Sequence, residues 1–266
     1  MPQNPDLDQK NALVCGSTRG IGKACAIALA QRGARITLAA RNENALKTVR
    51  AELEQISNAN HDYLIADFRD PENLRAAIKS YLARTADAPF HILINNTGGP
   101  PGGLAINAEI EEFQSAFSNH LICNHILVKA LLDGMKAAKY GRIINIISTS
   151  VKQPLSNLGV SNTIRGAVAN WAKTLANELG GFGVTVNNIL PGATRTERLL
   201  AIIKNKAERS GISQEEAENL MLADIPAGRF AEPEEVAAAV AFLASPDAGY
   251  VNGINLPVDG GRTGCL

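Results

Sequence analysis

No apolar run in the chain approaches the roughly 20 residues that a membrane-spanning helix needs. There is no excess charge of either sign: Lys plus Arg and Asp plus Glu stand at 26 each, for a net charge of zero. That balance argues against nucleic acid or an anionic membrane as the main partner. The start, MPQNPDLDQK, lacks the basic-then-apolar pattern of a secretory leader, so a cytoplasmic location is the default expectation. Cysteine is scarce. Cys15, Cys25, Cys123 and Cys265 form no C-x-x-C pair and match no zinc spacing, so they read as small apolar groups with one near a chain end. His120 and His125 are five apart, which does not stack them on one helix face, and no metal site is expected. Repeats, low-complexity tracts and linkers are missing as well, and residues 1–266 fit within one α/β domain.

What the chain does have is alternation. Short apolar or β-branched runs at 12–15, 34–40, 61–66, 91–95, 142–148, 184–190 and about 253–257 read as strands. Between them lie helical stretches near 20–32, 43–56, 72–85, 109–138, 160–179, 196–222 and 233–245, several marked by apolar residues three and four apart. Strands alternating with helices predict a doubly wound (Rossmann-type) α/β fold: one parallel sheet of about seven strands with helices on both faces. Right-handed crossovers then bring the carboxyl ends of the strands to one edge, where ligands bind.

The first strand leads into Gly16-Ser17-Thr18-Arg19-Gly20-Ile21-Gly22 and then a helix. Glycines there permit tight bending, close backbone approach to a pyrophosphate and close helix–sheet packing. The helix N-terminus offers unpaired N–H groups and a positive dipole end to the phosphates. An NAD-selective site places a carboxylate after the second strand, but this chain has Ala39-Ala40-Arg41-Asn42. Arg41 and Arg19 are instead expected to meet a 2′-phosphate, which guanidinium forks suit, so NADP(H) is expected over NAD(H).

Taken in order, these motifs resemble the short-chain dehydrogenase/reductase family over about residues 10–262, nearest to its β-ketoacyl-carrier-protein reductases. The resemblance makes Asp67, with Phe68 beside it, the adenine-side element. It makes Asn95-Asn96-Thr97-Gly98 the segment that steadies the sheet against the cofactor. It makes Pro191-Gly192 with Thr194 and Thr196 the turn that holds the nicotinamide carboxamide. The tail from Ile225 to Phe230 and from Val258 to Gly261 also fits. The resemblance implies a carbonyl/alcohol oxidoreductase working on a small molecule. It also implies a homotetramer or homodimer built on the regions 109–138 and 158–179 and the C-terminal strand.

The catalytic set departs from the family's Asn–Ser–Tyr–Lys. Ser148 fits the serine, but Ser161 stands at the tyrosine position, Arg165 at the lysine position and His120 at the asparagine position. Tyr63, Tyr81, Tyr140 and Tyr250 all fall elsewhere. A serine is a poorer acid than a tyrosine of depressed pKa, and Arg165 stays charged and can hold ribose hydroxyls without relaying protons. His120 is a candidate replacement acid because histidine titrates near neutrality, and Lys152 borders the expected pocket. The loop Gly98–Gly103 offers exposed N–H groups for an anionic or carbonyl ligand, and 195–223 is expected to be a mobile polar cover. Three readings stand: an NADP-dependent oxidoreductase with a non-standard proton donor, a dinucleotide-binding protein without turnover, and a non-redox enzyme on the same scaffold.

Overall fold

The structure is a computed structural model that describes residues 6–85 and 89–265. The first five residues of the polar start lie outside this range. Seven strands form one sheet: β1 (Asn11–Cys15), β2 (Arg35–Ala40), β3 (Asp62–Ile65), β4 (Ile92–Asn95), β5 (Gly141–Ile146), β6 (Val184–Pro191) and β7 (Asn255–Val258). Their order is β3-β2-β1-β4-β5-β6-β7, and every pairing is parallel. The order reverses between β1 and β4, which creates the crevice where parallel α/β sheets take ligands.

Nine helices surround the sheet among the described residues: α1 (Gly20–Gln31), α2 (Glu43–Glu54), α3 (Pro71–Arg84), α4 (Ile110–Phe117), α5 (Cys123–Ala137), α6 (Gly159–Leu179), α7 (Glu197–Ser210), α8 (Gln214–Ala223) and α9 (Pro233–Ala244). The strand alternation divides the core into two layers. Val14, Leu38, Ile94 and Ile144 pack with α1, α2 and α9 on one face. Leu13, Leu93, Ile143 and Val186 pack with α3, α5 and α6 on the other. Both faces are covered, which is why the central strands are mostly apolar.

The expected helix over 109–138 is interrupted. A wider π turn spans Ser118–Ile122 between α4 and α5 and contains His120. Such bulges reorient side chains and recur at functional sites. The stretch 196–222 is two helices, α7 and α8, and it is not simply polar. Leu199, Ile203, Ala207, Ala217 and Met221 bury a small apolar core with Ile225 and Phe230. The charged residues lie on its outer side, because an amphipathic helix shows only its polar face to water.

Candidate active site

The glycine turn is shaped by sterics. Gly16 and Gly20 have φ of +59° and +52°, a region open to glycine at little cost. A Cβ on Gly22 would come within 2.2 Å of the Gly16 carbonyl oxygen. Asn96 braces the turn by donating from Nδ2 to the Cys15 carbonyl oxygen at 3.2 Å. Asn42, Asp70, Thr196 and Ser213 cap α2, α3, α7 and α8 with their side chains. Arg19 gives α1 no side-chain cap. The first N–H groups of α1 therefore remain available at the turn. Ser17 is fully buried there, and its Oγ has no hydrogen-bond partner among the described residues.

At the far end, Asp67 is held by Arg69, whose Nη2 lies 2.8 Å from Oδ2, and Arg41 stands 4.0 Å from Oδ1. The hydrogen bonds from Arg69 hold the Asp67 carboxyl below its ordinary pKa. Two of the expected cofactor residues have partners within the protein. Arg19 forms an ion pair with Glu197 at the start of α7. The Phe68 ring is buried in the α3/α5 layer, and its carbonyl oxygen accepts from Cys123 Sγ, so the side chain serves packing.

On the opposite side of the turn, Gly192 donates its N–H to the Val258 carbonyl oxygen at 2.9 Å, and a Cβ there would lie 2.7 Å from Asp259 Cα. Thr194 donates to the Gly192 carbonyl oxygen at 3.1 Å. Thr196 donates to the Thr194 carbonyl oxygen at 3.2 Å and caps α7. The Thr196 methyl would stand 3.1 Å from a Cβ on Gly20, so the base of α7 lies against the glycine turn.

The catalytic positions gather beyond the ends of β4 and β5. Thr97 Oγ1 and His120 Nδ1 are 2.7 Å apart. His120 is buried, and burial first, then the charges of Arg165 and Arg198, push its pKa down to about 2. The expectation of a histidine titrating near neutrality is therefore corrected: His120 is uncharged at neutral pH. Arg165 is buried on α6, one turn after buried Ser161, and donates from Nη1 to the Ile146 carbonyl oxygen at 3.0 Å. Burial and the charge of Arg198 lower its pKa to about 10, which leaves it cationic at neutral pH. Ser148, two residues beyond Ile146, accepts the Ser150 N–H at 3.1 Å. Ser150 Oγ is buried and unpartnered among the described residues.

Three features were not anticipated from sequence. Arg198 on α7 donates to the carbonyl oxygens of Gly99 and Pro100 at 3.1 and 3.3 Å, fastening α7 to the Gly98–Gly103 loop. Arg69 joins Arg41 at Asp67. Asn95, Asn145, Asn188 and Asn255 stand in register on β4 to β7, each of the first three donating from Nδ2 to the next Oδ1 at 2.8 Å. The usable signal for this ladder was an asparagine in each of four largely apolar strands.

A Gly-rich strand–helix turn at the switch point of an all-parallel sheet defines the dinucleotide-binding class of α/β proteins. Comparison narrows the class. A family model described as Enoyl-(Acyl carrier protein) reductase matches residues 16–263. The 3-oxoacyl-[acyl-carrier-protein] reductase FabG of Vibrio cholerae is 34% identical over 258 residues, covering 96% of this chain and 98% of that protein. The NADPH-dependent reductase BacG of Bacillus subtilis is 30% identical over 256 residues, covering 96% and 98%. The solved structure of L-sorbose reductase from Gluconobacter frateurii, complexed with NADPH and L-sorbose, superposes with a TM-score of 0.91 at 29% identity, covering 99% of this chain and all of that one. The chain belongs to the short-chain dehydrogenase/reductase family.

Proposed function

We propose that this protein is an NADPH-dependent oxidoreductase acting on the carbonyl/alcohol pair of a small molecule, with a proton donor other than the family's tyrosine. The observation that carries the reading is the turn Gly16–Gly22, with the uncapped start of α1 and the buried, unpartnered Ser17 Oγ. The residues fit a dinucleotide: glycines where a Cβ would collide, N–H groups for phosphates, and a hydroxyl with nothing else to bind. The relatives named above as NADPH-dependent or NADPH-bound support the same cofactor here.

Arg41 and Arg69 are assigned to the adenosine 2′-phosphate and Asp67 to the adenine side. Asn95, Asn96, Thr97 and Gly98 form the wall beneath the nicotinamide, and Pro191, Gly192, Thr194 and Thr196 take its carboxamide. When bound, NADPH supplies the hydride that the carbonyl carbon accepts, and the oxygen then takes a proton to give the alcohol and NADP⁺.

The chain's own residues handle that oxygen. Ser148 orients it by hydrogen bonding, and Ser161 provides a hydroxyl at the tyrosine position. Arg165 holds the ribose hydroxyls and stabilises the developing negative charge. Neutral His120, its Nδ1 engaged by Thr97, keeps Nε2 for exchange with a hydroxyl or water. The chain is read as one domain, and exposed Ile110 and Phe117 on α4 support assembly into a homotetramer or homodimer.

The test is separate titration of the purified protein with NADPH and NADH, followed by nicotinamide fluorescence. NADPH is expected to bind more tightly, and Arg41→Ala to erase at least about tenfold of that preference, as loss of a charge-assisted fork should. Equal affinity for the two cofactors sinks the arginine assignment. Binding of neither sinks the oxidoreductase reading.

A further inference from the structure

Two guanidinium groups bear on buried His120, and neither has a carboxylate partner. Arg165 spends one N–H on the Ile146 carbonyl oxygen. Arg198 spends two on the carbonyl oxygens of Gly99 and Pro100. Among the described residues no Asp or Glu oxygen lies within 4.0 Å of either side chain. Several other arginines around α7 do have carboxylate partners. Arg19 pairs with Glu197, Arg195 with Glu232, and Arg229 with Glu235.

Arg165 is buried, and a buried charge is costly without a counter-charge, while Arg198 stands at the exposed mouth of the same site. Each of the two lowers the proton affinity of His120, and Arg198 lowers that of Arg165. The geometry also shows accommodation of Arg198. A Cβ on Gly99 would lie 2.6 Å from its Nη2, so the guanidinium rests on bare backbone that a larger residue would occupy. A guanidinium has five N–H donors in a planar fork, and most of Arg198's stay free for a planar anion.

We propose that the substrate carries a carboxylate as well as the reacting carbonyl, and that Arg198 is the carboxylate's ligand while Arg165 reinforces the positive field. The substrate class is thus an oxo acid and its hydroxy acid. This rests on the oxidoreductase reading of the same site. The carboxylate makes and breaks no bond; it orients the ketone toward Ser148 and answers the two positive charges. A ligand anchored to Arg198 also ties α7 to the Gly98–Gly103 loop, so occupancy and closure of that side of the site go together.

The test uses the full chain with NADPH and a matched pair of probes, 4-oxocyclohexanecarboxylate and its methyl ester, read as kcat/KM from loss of NADPH absorbance. The acid is expected to be preferred by about tenfold or more, as for a hydrogen bond to a charged group. In Arg198→Gln that ratio should fall to within about twofold. An ester used as well as the acid by the native protein overturns the proposal. So does an acid preference that survives Arg198→Gln, including the case where that variant has lost NADPH affinity, which assigns Arg198 to the cofactor phosphates instead.

A second arm needs no turnover. Benzoate and benzamide are titrated against the protein, and the melting temperature is followed. Stabilisation by benzoate alone, lost in Arg198→Gln, supports the anion site even where no ketone is reduced, and the reductase reading then fails by itself. Equal response to both probes, or to neither, overturns the anion site.

Discussion

Thr97 Oγ1 lies 2.7 Å from His120 Nδ1, joining the segment after β4 to the π turn between α4 and α5. That contact fixes the ring while burial and two arginines keep it neutral. The consequence for stability has a definite sign. The folded-state pKa is about 2 and the ordinary value is 6.5, so the unfolded chain binds this proton first as pH falls. Stability from this group is full above the unfolded pKa and declines below it, by about 1.4 kcal/mol on going from neutral pH to about pH 5.5. His61 and His91 are shifted in the same direction by burial and add their own slopes. Urea unfolding at the two pH values should show a shallower dependence in His120→Gln than in the native chain. An unchanged slope would mean that His120 is not held neutral.

The glycine turn offers a sharper contrast. A Cβ at Gly22 would meet the Gly16 carbonyl oxygen at 2.2 Å, which is backbone and has little room to move. Gly98 has nothing within 4 Å of the same added atom. Gly22→Ala is therefore expected to cost about 2 kcal/mol or more through overpacking, lowering the melting temperature by several degrees. NADPH binding should go with it, because the turn must open to admit the new methyl. Gly98→Ala should melt as the native chain does. Thermal melts of the two variants, run beside a fluorescence titration, check both statements, and a harmless Gly22→Ala defeats the steric account of the turn.

Ser161 and Arg165 define a third experiment. Both are buried on α6, and a tyrosine and lysine in their places supply the acid and the charge that the resemblance leads one to expect. General acid help is worth about 10²–10⁴-fold, so Ser161→Tyr with Arg165→Lys should raise turnover of a neutral ketone by about 10²-fold over a measurable native rate. The added ring volume makes a melt of the variant a necessary companion. Strong activity arising in the variant where the native chain has none would mean the native protein is not a reductase of ketones.

The sheet was legible because its signals are local. Apolar runs at 91–95 and 184–190 could be nothing but buried strands once helical stretches separated them, and β4 and β6 fall within two residues of those limits. The turn Gly16–Gly22 was legible for the same reason, since its glycines sit between one strand and one helix. Arg198 was not. Its meaning depends on the carbonyl oxygens of Gly99 and Pro100, nearly a hundred positions earlier, and a charged residue early in a polar-looking helix reads as a solvated one. The helix break at 118–122 also left no local mark, because a π turn contains no obligatory proline or glycine. His120 was placed at the right register but given the wrong charge state, since proton affinity is set by burial and by arginines from α6 and α7 that sequence spacing does not reveal.

The asparagine ladder is the most severe test of how the sheet supports the site. Asn145 is fully buried, accepts from Asn95 and donates to Asn188, both at 2.8 Å. Asn145→Leu keeps the branched shape with added bulk and leaves two buried polar groups without partners, which should cost about 2–4 kcal/mol. Asn188→Leu should cost a similar amount for the same reason, because Asn188 donates onward to Asn255. The two losses share one hydrogen bond, so the double variant should be less destabilised than the sum, with a coupling of about 0.5–3 kcal/mol. Simple additivity in a urea-unfolding cycle would show that the ladder is four independent side chains. The ladder ends at Asn95, beside Asn96, which braces the glycine turn, and Thr97, which holds His120. Asn145→Leu should therefore weaken NADPH binding without touching the cofactor, whereas Asn255→Leu, at the far end, should destabilise the sheet and leave that affinity within about twofold of native.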